Sequence, residues 1–351
     1  MMRQTKPNSE QVRRKMSRGT KALLIFVSVI VALAVILIGT VFILDRRGHE
    51  SLTSIGEEMT VVESEDAEVV DAGRVRYNGQ LYRYKDNVTT VLLMGIDTDE
   101  KAVEDGKIGG SNQSDANVLA VLDPDEGTIK LISISRDAMC EMDVLDENGE
   151  FQGTATAQLA LAYSFGDGGE LSCELTGKAV SGLFYGLPIS AYASIYMDGI
   201  ARLTDVAGGV TVTPAESFYK FTAGESVTLT SKNAVSYLRY REHTVEGNNQ
   251  RMERQKQVMM ALAHTMLAKI KSNPTSVLAV YSEVRKNVTT DINTEEMVYL
   301  ARLASKMTLD PEIYNVPGKS VEGAQNHAEY NVDETALYEM ILDIFYEPVS
   351  E

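Results

Sequence analysis

TTVLLMGID (Thr89–Asp97), NVLAVLD (Asn117–Asp123) and TIKLISIS (Thr128–Ser135) are three short apolar runs in close succession. Each is too short for a buried helix and is rich in Val, Ile and Thr, which predicts buried strands. The turn DPDEG joins the second run to the third, so those two read as sheet neighbours. Helical spacing takes over downstream. It predicts helices at Thr156–Tyr163, Glu170–Tyr185 and Asp198–Val206, with strands at Ala191–Tyr196 and Val210–Thr213. Thr230-Ser231 reads as the cap of a short helix through Leu238. The clearest helix is Gln250–Lys271, where Met252, Met259, Leu262, Met266 and Ile270 recur at helical spacing. Pro274–Arg285, Thr294–Lys306 and Asp333–Phe345 complete the helices, and a last strand is expected at Ile313–Val316. Strands alternating with helices make the fold class α/β and layered.

Upstream the chain reads differently. Ala22–Leu44, ALLIFVSVIVALAVILIGTVFIL, carries no charge and has no polar face. At 1.5 Å per residue it is long enough for a bilayer core of about 30 Å. The alternative, a cleaved signal peptide, calls for a shorter apolar region and a small-residue cleavage site. This run is instead followed by Asp45-Arg46-Arg47. Arg3, Lys6, Arg13, Arg14, Lys15, Arg18 and Lys21 precede it against one acid, Glu10. That asymmetry puts the N-terminus in the cytoplasm and the rest outside, on a single-pass anchor in the cell membrane. The expected organisation is a cytoplasmic tail over 1–21, a transmembrane anchor over 22–44, an external stalk over 45–87 and one external domain over 88–351. A short hairpin is expected around Val75–Tyr84 inside the stalk.

The net charge of −17 argues against a nucleic-acid partner, which calls for a basic surplus. Only two cysteines occur, Cys140 and Cys173. In an oxidising compartment an even count favours a disulfide over two buried thiols. No CxxC occurs and the four histidines are scattered, which argues against zinc. No GxxxxGK[ST] loop occurs, which excludes a P-loop enzyme. GDGG (Gly166–Gly169) reads as a turn.

Polar groups gather where α/β folds place their sites. Asp97 follows the first run, Asp115 precedes the second, and Arg136 and Asp137 follow the third. Two converging carboxylates suit Mg²⁺ shared with a phosphate, although aspartate at strand ends also serves turns and caps. A second group is Arg239, Arg241, Arg251, Arg254 and Gln255. Arg239 and Arg241 share a side if the chain is extended there. Arg251, Arg254 and Gln255 share a helix face and open the long helix, where its dipole favours anions. Planar guanidinium forks suit a multiply charged phosphate ligand. The competing use is a solvated face paired with Glu242, Glu246 and Glu253, which suits Arg254 better than Arg239. Outside a membrane, a phosphate ligand points to a lipid phosphate.

Taken in order, Gly95-Ile96-Asp97, Ser114-Asp115, SISRDA (Ser133–Ala138), the ALAY helix with YSFGDGG, LPISAYASIYMDGIARLTDVAGGVTV, AVSYLRYRE and QRMERQKQ resemble the LytR-CpsA-Psr family. The resemblance covers Val88 to the C-terminus. It implies an α/β/α layered domain with a mixed central sheet and an apolar groove for a lipid tail. It implies a Gram-positive cell-wall enzyme that moves a glycopolymer from a polyprenyl-pyrophosphate carrier to peptidoglycan. By motif position, Asp97 and Asp115 would hold Mg²⁺. Arg136, Arg239, Arg241 and Arg251 would clamp the pyrophosphate, with Gln255 beside them. This chain departs from the pattern at Gln113, where the family has Arg, and at Gln158 and Ala160, where it has Lys and Asn. Asn248-Asn249-Gln250 replaces the usual Asp-x-Gly. Two cations are thereby lost from the clamp. The alternatives are a non-catalytic binder of polyprenyl phosphate or wall polymer, and a phosphohydrolase of lipid pyrophosphate.

Overall fold

The computed structural model describes residues 43–52, 67–71, 73–96, 98, 108–109, 112–240, 245–273, 281–282, 285–323 and 327–350. The chain divides into Met1–Leu44 and Asp45–Glu351. The tail and nearly all of the expected anchor lie outside the described residues, as do Asp97 and Arg241. Among the described residues no helix is long and apolar enough to cross a membrane.

The apolar runs form the centre of a six-stranded sheet. β4 (Thr89–Ile96) pairs antiparallel with β5 (Ser114–Asp123), and β5 antiparallel with β6 (Thr128–Ile134). β9 (Ala191–Tyr196) lies parallel to the other side of β4. β12 (Val288–Thr290) pairs antiparallel with β9, and β13 (Thr308–Asn315) parallel with β6. The order β12-β9-β4-β5-β6-β13 is therefore mixed. Runs without polar alternation are what a sheet covered on both faces requires.

Each face has its own core. Leu92, Met94, Leu119, Val121, Ile132 and Ile134 pack under α2 (Ala160–Ser164), α3 (Glu170–Leu183) and α8 (Glu334–Phe345). Val91, Val118, Ala120, Leu122 and Leu131 pack under α7 (Thr294–Lys306), with Met259 and Met260 of α6 (Val245–Ser272) alongside. A smaller cluster joins Val258 of α6 to α4 (Met197–Ala207), α5 (Ala234–Arg239) and the ribbon β10 (Val210–Val212) with β11 (Val227–Leu229).

The stretch 45–87 is more than a stalk. In α1 (residues 43–52), Leu52 is buried against α7. Ser51 Oγ donates to Glu296 at 2.7 Å, and Asp45 accepts from Arg302. A Cβ on Gly48 would sit 2.5 Å from the Glu295 carbonyl, so only glycine permits this close crossing. The expected hairpin is present as β2 (Arg74–Tyr77) and β3 (Gln80–Tyr84), preceded by β1 (Ala67–Asp71). Asn78 and Gly79 both take positive φ, the two-residue turn that suits strand twist. Val75, Tyr77 and Tyr84 enter the main core. The terminal strand β16 (Tyr346–Val349) pairs with β3, closing the chain end onto this hairpin.

One lysine ties these parts together. Lys85 Nζ donates to Asp123 at 2.9 Å, to Glu126 at 2.7 Å and to the Ile344 carbonyl at 3.0 Å. It thus joins the end of β3, the β5–β6 turn and the end of α8. Burial acts to raise the Glu126 carboxyl, but hydrogen bonds from Lys130 and Lys85 outweigh it and bring it down to about 2.

Several local expectations are corrected. The helix expected over Thr156–Tyr163 begins only at Ala160; Phe151–Gln158 is strand β8, paired with β7 (Met139–Leu145). Alternation decides this, because Thr154 and Thr156 face solvent while Ala155 and Ala157 face inward. Asp146 closes the turn by accepting from the Asn148 and Glu150 amides. The residue before α5 is Asn233 rather than Thr230-Ser231, and its Oδ1 accepts from the Thr230 amide instead of capping the helix. α6 starts at Val245, earlier than Gln250. β13 starts at Thr308 rather than Ile313, its register shifting between Leu309 and Ile313 around Pro311. Of the helix expected over Pro274–Arg285, residues 274–280 and 283–284 lie outside the described residues.

The expected disulfide is absent. Cys140 on β7 and Cys173 on α3 are both free and buried, each pushed up to about 12 by burial. Cys173 lies within the main core.

Three outcomes follow from this packing. Lys85→Met strands Asp123, whose side chain is 2% exposed, and should lower stability by about 3–5 kcal/mol in urea unfolding. The Glu126 share of that stability is complete above its ordinary value of 4.5 and is lost as pH falls toward 2, so Glu126→Gln should flatten acid unfolding in that window. A thiol reagent should find no reactive cysteine in the native chain and two after denaturation.

Candidate functional site

The site is built where β4 and β6 end and β5 begins. Ile96 pairs with Ser114, and Asn117 with Ile134, so Asp115 stands level with the exit of β6. Arg136, two residues past β6, turns back over this edge. Its Nη1 donates to Asp115 Oδ1 and its Nη2 to Gln113 Oε1. Asp115 is only 13% exposed and Arg136 30% exposed, so the pair is partly desolvated. Arg136 Nε also lies 3.5 Å from Asp137. Burial raises the Asp137 carboxyl above its ordinary value, against the opposing pull of Arg136.

Gln113 and Gln158 both work in this cluster. Gln113 accepts from Arg136. Gln158 Nε2 donates to Asp137 at 3.4 Å and to the Ala328 carbonyl. Amides replace charge with geometry: they aim Arg136 and hold Asp137 without adding a positive group.

The second group approaches from α5 and α6. Arg239 is the last residue of α5, and Tyr240 after it leaves the helix with φ −58° and ψ 129°; Arg241 lies outside the described residues. Arg251 and Gln255 stand one turn apart on α6, both half-buried. The earlier start of α6 places Arg251 inside the helix, away from the free N–H groups of its first turn. Arg254 is structural: at 5% exposure it donates to Glu216 at 3.1 Å and to the Tyr240 carbonyl, with its guanidinium 4.1 Å from the Phe218 ring centroid. Burial outweighs Glu216 and lowers its pKa.

α6 reaches the same end of the sheet as Arg136. Lys256 Nζ donates to Asn315 Oδ1 at 3.4 Å, and Asn315 pairs with Ser133 of β6, shortly before Arg136. Lys256 was missed in the sequence, because a lysine among helix charges gives no signal of what it faces. Asp137 and Gln158 were missed as a pair for a similar reason, since Gln158 falls within the helix expected over Thr156–Tyr163.

The α6-facing side of the sheet is not fully covered. Leu93, on the central strand, is 36% exposed and stands beside Val118 and Ala193. Gly95 follows on the same face, and a Cβ there would lie 3.1 Å from that of Ala116. These residues form an apolar strip leading toward the Asp115–Arg136 edge. Among the described residues no three His, Cys, Asp or Glu side chains converge on a metal position. Asp115 supplies one carboxylate at this edge, and an ion held chiefly by phosphate oxygens and water needs only one or two.

The LytR_cpsA_psr family profile matches residues 51–343. The chain belongs to this family. The LytR_cpsA_psr match opens within α1, in agreement with the docking of that helix on α7. Among curated relatives, the polyisoprenyl-teichoic acid–peptidoglycan teichoic acid transferase TagU of Enterococcus faecalis is 30% identical over 218 residues, covering 60% of this chain and 64% of that protein. The TagU of Oceanobacillus iheyensis is 28% identical over 236 residues, covering 65% and 66%. The chain thus spans slightly under two thirds of the length of these relatives. The crystal structure of Bacillus subtilis TagV matches with a TM-score of 0.54 at 23% identity, over 73% of this chain and 96% of that one. That likeness supports the α/β fold with its mixed sheet.

Arg136→Ala removes the charged partner of a largely buried carboxylate. It should lower stability by about 1–3 kcal/mol in urea unfolding, with Arg136→Lys recovering only part because it lacks the two-pronged fork.

Proposed function

We propose that this chain transfers a glycopolymer from a polyprenyl-pyrophosphate carrier to peptidoglycan at the outer face of the cell membrane, with Mg²⁺ as cofactor. The observation that carries the reading is the meeting of the Asp115–Arg136 edge with the uncovered strip at Leu93. A carrier lipid has both characters: a doubly phosphorylated head and an apolar tail. The teichoic acid transferase names of the relatives favour the same class. The family's cell-wall setting agrees with an anchor over 22–44 that leaves residues 45–351 outside.

In this reading Arg136, Arg239, Arg241 and Arg251 bind the pyrophosphate oxygens, with Gln255 beside them. Asp97 and Asp115 would hold Mg²⁺, whose charge would assist departure of the lipid phosphate. The arginines act in the same sense, because their charge is already in place when negative charge develops on the leaving group. A peptidoglycan hydroxyl attacks the phosphorus next to the sugar, breaking its bond to the departing lipid phosphate, or attacks the sugar carbon, breaking its C–O bond and releasing the lipid pyrophosphate. Asp97 or Asp115 takes its proton. The Leu93 strip holds the first units of the lipid tail and fixes the head against Arg136.

A second reading, a non-catalytic binder of polyprenyl phosphate or wall polymer, draws on one observation. Gln113 and Gln158 are neutral where the family has cations, and both are engaged within the protein.

The full chain in detergent, given Mg²⁺, a polyprenyl-pyrophosphate saccharide and a peptidoglycan oligomer, should yield the joined saccharide by mass spectrometry. Asp115→Ala and Arg239→Ala should each lower that yield by about 10²–10³-fold. Release of lipid phosphate without joining would indicate the phosphohydrolase instead. Carrier retained in chelator without turnover would indicate the binder.

A further inference from the structure

Beyond the arginines, the α5 side of the molecule carries an aromatic feature that core packing does not account for. Phe218 and Phe221 close a tight turn through reciprocal backbone hydrogen bonds of 3.0 and 2.8 Å, which leaves Tyr219 and Lys220 at its tip. Tyr219 has φ +48°, a conformation that glycine or asparagine adopts far more readily than tyrosine. It is also 68% exposed, the highest value among the exposed large apolar and aromatic side chains described. A strained backbone supporting an exposed ring is not explained by folding, since a glycine would make the same turn without strain.

The ring is held in place. Tyr219 stacks on Tyr240 at 6.2 Å between centroids and 27° between planes. Tyr240 in turn lies 5.5 Å from Phe218, over which the Arg254 guanidinium sits. Arg254 also holds the Tyr240 carbonyl. This ladder is anchored in α6 through Arg254, and its middle rung, Tyr240, follows directly on Arg239. Lys220 Nζ lies 5.6 Å from the Tyr219 centroid and brings hydrogen-bond donors to the same spot.

We infer that Tyr219 and Tyr240, with Lys220, form a platform for a pyranose ring of the glycan. The C–H face of a sugar carries slight positive charge and packs on the negative face of an aromatic ring. Tyrosine offers such a face at low entropic cost. The inference rests on the transferase reading for its position: a sugar joined to the pyrophosphate, or the sugar that attacks it, must lie close to the arginines. Tyr219 is then a specificity-determining residue that binds saccharide without touching the reacting atoms.

The chain contains no tryptophan, so Tyr219→Trp introduces a single indole into the platform. In the full chain, a β-1,4-linked N-acetylglucosamine tetramer should shift its emission saturably. The same titration of Phe151→Trp, a reference on β8 at an exposed position, should give no response. Poly(glycerol phosphate), which has no sugar ring, should leave the indole unchanged. In the transfer assay Tyr219→Gly should raise the half-saturating concentration of one saccharide about 10-fold, with maximal rate within 2-fold and melting temperature not lowered. A rise for the peptidoglycan oligomer assigns the platform to the acceptor, and a rise for the carrier-linked saccharide assigns it to the donor.

An indole that ignores the tetramer, or answers only the ringless polymer, overturns the inference. So does a Tyr219→Gly chain that melts earlier with unchanged half-saturation. If the wild-type chain transfers nothing while the indole still binds saccharide, the platform stands and the transferase reading falls.

Discussion

Lys85 is the interaction on which the arrangement of layers depends. Its ammonium meets a carboxylate of the β5–β6 turn, a second carboxylate in that turn and the carbonyl at the end of α8. Asp123 is almost fully buried, so its charge must be met inside the protein. The one lysine that meets it belongs to the segment joining β3 to β4. The three-stranded element β1–β3 is thereby fixed to the central sheet, and the chain end returns through α8 to pair β16 with β3. What precedes the apolar strands is therefore part of the fold, and the sheet edge that carries Asp115 is supported from its far end.

The functional edge follows a similar rule with different partners. Arg136 holds a partly desolvated carboxylate, Gln113 accepts from Arg136, and Gln158 donates to Asp137. In a site built for a doubly charged phosphate, a guanidinium gains from being aimed beforehand, because little conformational freedom is then lost on binding. Gln113 does this for Arg136. Gln113 contributes an acceptor that orients the guanidinium and brings no charge of its own. Arg254 shows the opposite use of the same side chain. Buried against Phe218 and Glu216, it builds the floor beneath Tyr240.

The separation of an apolar strip from a charged edge follows from strand direction. On β4 the side chains of Leu93 and Gly95 share a face, and the strand then ends among polar groups. α6 covers only part of that face while its N-terminal half reaches the end of β13 through Lys256. One helix thus borders both the apolar strip and the charged edge.

Sequence by itself determined the four inner strands β9, β4, β5 and β6, because strands buried on both faces must read as unbroken apolar runs, whereas the short edge strand β12 gave no such run. It determined α7 and α8 for a related reason, since capping residues such as Asn293 and Asp333 act within a single turn. It also placed Asp115, Arg136, Arg239 and Arg251 in the polar inventory, and the ordered motifs around them carried the family. Tertiary structure alone decided the rest. Thr156 could lie on a helix or a strand until pairing with β7 fixed it. That the cysteines are free could not be read from their spacing, which says nothing about which side chains meet in a core. The partners of Gln113, Gln158 and Lys256, and the ladder beneath Tyr219, are contacts between residues distant in sequence. Such contacts are set by how layers pack, and no local pattern records them.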